Sequence, residues 1–243
     1  MDTTLKDKLL FPRRNASDVL SAGETGAADE YCRGYIEFLN AAKTEREAVS
    51  AAAALAEKRG VVSWKAGMKP QAGTKIYFSR RGKALILCAV GKKPLEEGIS
   101  IIAAHIDSPR LDLKMAPIYE DSGMAFFDTH YYGGIKPYQW TGIPLAIHGF
   151  VIRGDGKEIS ISIGEDPRDP CFFIADLLPH LAEAQMKKPA GEAVKTEDLD
   201  ILAGLRLAPG ESGPGAVKLN ILPCRQGPYR PFFQAVLPVI KGR

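Results

Sequence analysis

The sequence predicts an α/β protein in which a helix–strand part is followed by a β-rich part. Three observations carry this. Residues 25–59 repeat their apolar side chains with a helical period, and residues 75–80, 84–90 and 99–105 are short apolar runs of strand length. Beyond about residue 115 the strand-like runs are separated by Gly and Asp, without the helices of a βαβ repeat.

In chain order, the first helix places Ala28, Tyr31, Tyr35, Phe38 and Leu39 on one face. Thr44 opens a second helix with an acid-rich first turn, and Gly60 is placed to cap its end. Two strands follow, 75–80 and 84–90, with Arg81-Gly82 in the turn between them. The third, 99–105, is bounded by Gly98 and Pro109 and reads as a buried strand. Residues 124–130, 143–152 and 158–163 are the strand-like runs of the second part, with the hairpin turn RGDG at 153–156. Residues 172–186 read as an amphipathic helix, and 192–204 as a polar connection. These changes of texture set expected boundaries at 1–115, 116–222 and 223–243.

Composition narrows the function classes. The chain has 243 residues, 45% hydrophobic and 25% charged, which is ordinary globular material. A net charge of +3, spread along the chain, gives no electrostatic case for nucleic acid. There is no signal peptide and no apolar run of about 18 residues, so no membrane partner is expected. Cys32, Cys88, Cys171 and Cys224 show no paired spacing and read as reduced thiols of a cytoplasmic protein.

The chemistry concentrates at residues 101–114, IIAAHIDSPRLDLK. His105 and Asp107 stand where the third strand should end, the edge at which open α/β sheets place ligands. An imidazole binds zinc directly, and a carboxylate two residues on in an extended chain points the same way and can orient it. The same two residues also suit a strand end with no site at all.

The segment AAHIDSPRLDLK resembles the first metal-binding motif of the M18 family of zinc aminopeptidases, the aspartyl-aminopeptidase family. THYYGGIKPYQWTGIPLAIHGFVI (129–152) is similar to the Tyr-Gly-Gly segment that follows it in the bacterial branch, and FFIADLLPHLAEAQM (172–186) continues the likeness, which covers most of residues 10–222. The resemblance implies a partial zinc-peptidase α/β sheet layer interrupted by a β-rich dimerisation domain, and hence a homo-oligomer. It implies a two-zinc aminopeptidase acting on peptide substrates. His105 would be the first metal ligand, and Asp107 the catalytic carboxylate that steers it. His180 would occupy a dimerisation-domain position able to reach substrate in a neighbouring subunit. His130 and His148 read as structural, and Trp140 with Tyr131 and Tyr132 as core or interface aromatics.

The family's further metal ligands and its Glu base do not have counterparts here. The chain contains no Asp-Asp dipeptide, Glu96-Glu97 lies ahead of His105, and no acid follows Glu211. From residue 223 on, PCRQGPYRPFFQAVLPVIKGR carries four Pro and no acid, and loose packing is expected of it. The sequence thus predicts an N-terminal portion of the enzyme that is inactive alone. The alternative is a non-catalytic remnant that only associates with other subunits.

Overall fold

The computed structural model describes residues 14–207, together with Leu5, Leu9, 217–218 and 233–237. Among these residues the chain divides into two units, one of residues up to 42 with 46–100, the other of 43–45 with residues from 101 onward.

The first unit opens with α1 (Ala22–Ala41). Ser21 and Glu24 close a reciprocal capping box: the Ser21 hydroxyl accepts from the Glu24 amide at 3.3 Å, and the Ser21 amide donates to Glu24 Oε2 at 2.8 Å. Helix α2 (Glu45–Lys58) buries Ala48, Val49 and Ala56. It ends where expected, with the Gly60 amide donating to Glu57 O at 2.9 Å. Strands β1 (Val62–Ser63), β2 (Lys75–Arg80) and β3 (Ala84–Ala89) form a sheet in that order, β1 parallel and β3 antiparallel to β2. Arg81 and Gly82 both take positive φ, 54° and 64°, as the twist of a tight hairpin demands. The apolar stripe of α1 borders an open groove of about 870 Å³ with Leu55 and Leu87, and no residue of α1 is buried.

The second unit is β-rich. Strands β4 (Arg110–Asp121), β5 (Met124–Tyr132), β6 (Leu145–Ile152) and β7 (Glu158–Ile163) come first. The short helices α3 (Glu183–Met186) and α4 (Ala190–Ala193) precede β8 (Ile201–Gly204), and β9 (Arg206–Leu207) pairs antiparallel with β10 (Val217–Lys218). The last strand is β11 (Phe233–Leu237), and a six-stranded sheet runs β7-β6-β11-β4-β5-β8. Inward positions alternate along each strand, so Leu111 and Leu113 of β4, Phe127 of β5, and Ile201 and Ala203 of β8 share one core with Trp140, Leu145, Phe172, Ile174 and Leu199. Each large side chain so buried contributes about 2 kcal/mol. The buried Thr129 hydroxyl is satisfied by Leu199 O at 2.6 Å. His148 is packed in the sheet, its Nε2 3.1 Å from Glu165 Oε1. Trp140 is core, 2% exposed.

Several expectations need correction. Residues 99–105 form no strand: nothing among the described residues pairs with them, and Ile102 is fully exposed. An apolar run becomes a buried strand only with a neighbour on each edge to take its backbone hydrogen bonds. Residues 172–186 are helical only at Glu183–Met186. Phe172 and Ile174 are drawn instead into bridges with Leu145 and Thr141, and Phe173 into one with Leu202, which keeps 172–174 extended. The connection at 192–204 hides β8. Phe233–Leu237, in the tail expected to pack loosely, lies between β6 and β4, parallel to both. The rest of that tail lies outside the described residues. The two units divide at 100/101, near the expected line at 115/116.

Candidate metal site

Strand β4 begins at Arg110, directly after the irregular segment 98–109. His105 and Asp107 therefore sit on the approach to β4 rather than at the end of a strand. The His105 side chain is 81% exposed. Its Nδ1 lies 3.0 Å from Asp107 Oδ1 and 3.0 Å from the Asp107 carbonyl oxygen. With a hydrogen on Nδ1, the outward Nε2 keeps its lone pair, the form in which imidazole ligates a metal.

The other carboxylate oxygen of Asp107 accepts the Tyr132 hydroxyl at 2.9 Å. That bond, helped by Asp107's own amide and by His105, holds the carboxyl below the usual carboxylate range. The same bond raises the Tyr132 phenol. Tyr132 ends β5, and the antiparallel register sets it opposite Arg110. The Arg110 guanidinium carbon lies 3.9 Å from the Tyr132 ring centroid, while its nitrogens reach Asp112 Oδ1 at 2.8 Å and Glu45 Oε1 at 3.0 Å.

His105 and Asp107 are thus brought together as the i, i+2 spacing predicted. His180 stands exposed in a turn, with no contact to that pair among the described residues. Tyr132 escaped the sequence reading as a site residue, although the Tyr-Gly-Gly motif that contains it was noticed. The pair fits a zinc ion as one ligand with its support. Among the described residues no three His, Cys, Asp or Glu side chains gather as a metal centre would require.

Comparison with known proteins agrees on one lineage. Residues 38–220 match the family described as aminopeptidase I zinc metalloprotease (M18). The chain is 46% identical over 190 residues to a probable M18 family aminopeptidase 1 of Clostridium acetobutylicum, covering 76% of this chain and 41% of that protein. It is 44% identical over 194 residues to the corresponding protein of Thermotoga neapolitana, covering 80% and 42%. The crystal structure of an M18 aminopeptidase from Thermotoga maritima superposes with a TM-score of 0.77 at 40% identity, covering 87% of this chain and 45% of that one. Aminopeptidase I from Borrelia burgdorferi gives 0.72 at 33% identity, covering 85% and 46%. The chain belongs to the M18 family of zinc metallopeptidases. It spans about two-fifths of the length of the curated relatives it matches.

Proposed function

We propose that this polypeptide carries the first metal-ligating segment of an M18-type zinc aminopeptidase and, by itself, does not build a working centre. The observation that carries the proposal is the His105–Asp107 pair, an outward imidazole nitrogen backed by a carboxylate, in a chain of this family. His105 would hold the metal, and Asp107 would fix its ring and support the charge. Zinc, two ions in the full enzyme, would supply an activated water and polarise the scissile carbonyl of a peptide substrate. Catalytic sites use three protein ligands or more, and the described residues offer one imidazole with its support.

The reading extends to association. The β-rich region at 116–222 would be an inserted dimerisation domain through which copies assemble, and Tyr131, Tyr132 and Tyr138, each 38% exposed, supply aromatic surface of the kind interfaces favour. His180 would reach substrate across such an interface, which its exposure permits. Cytoplasmic residence is part of the same reading, consistent with the exposed thiols of Cys32 and Cys88. No helix among the described residues is long and apolar enough to cross a membrane.

The test is an assay of the purified chain with added zinc against acidic and neutral aminoacyl substrates. Weak zinc binding and no release of N-terminal residues are expected. Turnover that vanishes in His105→Ala and in chelator would refute the incompleteness. Turnover untouched by either would mark a contaminant.

A further inference from the structure

The geometry points to Tyr132 as a positioning residue that fixes Asp107, and through it the ring of His105. This rests on reading His105 as a metal ligand. The problem it solves is mechanical. His105 and Asp107 both lie on the segment 98–109, which has no regular structure, and they hold each other across only two residues. A pair of this kind could drift as one body. The hydrogen bond from the Tyr132 hydroxyl to Asp107 Oδ2 ties it, across 25 residues of chain, to the end of a strand in the six-stranded sheet.

Tyr132 is itself held from both sides. On one, Arg110 stands opposite it in the β4–β5 register with its guanidinium over the ring, and Arg110 is fixed by Asp112 and Glu45. On the other, Gly133 takes φ +80° and lets the chain turn away at once. A side-chain carbon there would stand 3.4 Å from Pro109 Cα. The strand end and the 107–109 segment thus lie side by side where the phenol meets the carboxylate. The division of labour follows from donor chemistry. The phenol has one hydrogen and gives it to Oδ2, which leaves Oδ1 to accept from Nδ1 of His105 and keeps Nε2 as the lone-pair nitrogen. A phenol serving only stability would not decide which nitrogen of a neighbouring imidazole carries the proton.

The experiment uses the full metal-free chain, 15N-labelled, with the His105 tautomer read by long-range proton–nitrogen correlation at a pH where the ring is neutral. In the wild type the Nδ1–H form dominates. Asp107→Asn, which loses the side-chain charge but keeps the carbonyl of residue 107 at 3.0 Å as an acceptor, weakens that preference. Tyr132→Phe keeps the ring under Arg110 and leaves the melting temperature in place, yet shifts the tautomer ratio toward Nε2–H by about three- to five-fold, the worth of one ordinary hydrogen bond. Added zinc perturbs Nε2 in the wild type, and more weakly in Tyr132→Phe. A Tyr132→Phe ratio equal to the wild type's overturns the proposal. A wild-type ratio equal to that of Asp107→Asn overturns it too, along with the ligand reading beneath it. A ratio that answers to Tyr132→Phe while zinc leaves His105 untouched upholds the positioning and sinks the metal reading alone.

Discussion

Gly133 and Pro109 meet at the foot of the β4–β5 hairpin, where a methyl group on Gly133 would touch the proline at 3.4 Å from Cα. The positive φ of Gly133, +80°, adds backbone strain for any other residue. Gly133→Ala is therefore expected to cost about 1–2 kcal/mol, a fall of roughly 2–8 °C in a domain of this size. Gly134→Ala meets nothing within 4 Å and is expected to be silent. Thermal unfolding of the two variants side by side checks this, and equal losses would contradict it.

Two large apolar residues should respond in opposite ways. Phe172 is 1% exposed and bridges to Leu145, so Phe172→Ala is expected to cost about 3–5 kcal/mol. Ile102 is fully exposed, and Ile102→Ala should stay within about 0.5 kcal/mol. Denaturant midpoints measure both, and a comparable loss at Ile102 would mean that segment 98–109 is packed in solution.

The Tyr119 hydroxyl donates to Asp200 Oδ2 at 2.7 Å, and burial together with that carboxylate raises its ionisation well above the ordinary range. Since the folded value lies above the unfolded one, the contribution to stability is present in full below pH of about 10 and is lost as the pH climbs beyond it. Tyr119→Phe keeps the stack on Phe126 and should cost about 1 kcal/mol at pH 7. The gap between variant and wild type should narrow from pH 9.5 to 11. A gap that stays constant across that window would show the phenol is not held protonated by the fold.

Removing residues 223–243 would leave β4 and β6 without the strand between them. A loss of about 1–2 kcal/mol, several degrees in the melting temperature, is expected. An unchanged melting temperature would show that Phe233–Leu237 adds nothing to the sheet in solution.

What the sequence revealed and what it hid divide along a physical line. β2, β3 and β7 were legible because local alternation and turn chemistry determine them: Arg81-Gly82 and RGDG could hardly be anything else. The helices were legible from period and caps. Residues 99–105 misled because apolar content records a tendency to be covered, not the presence of a cover. β8 was hidden because Leu199, Ile201 and Ala203 alternate within a stretch whose acids dominate the impression. β11 was hidden by the prolines on either side of it. At the site, His105 and Asp107 are near neighbours in sequence and could be paired on spacing. Tyr132 is brought to them by strand register, which a single sequence does not display. The glycines behind it were the available signal.

The open segment before His105 has a consequence for how the molecule behaves in a crowded solution. From Ile99 to Ile106 the chain carries no acid, no lysine or arginine and no proline, and its isoleucines at 99, 101 and 102 face outward. Unpaired backbone beside such side chains is the raw material of cross-β stacking, with no acid, lysine or arginine between Glu97 and Asp107. Its self-association should rise steeply with concentration, and one charged residue at Ile102 should raise the solubility limit more than several placed elsewhere on the surface.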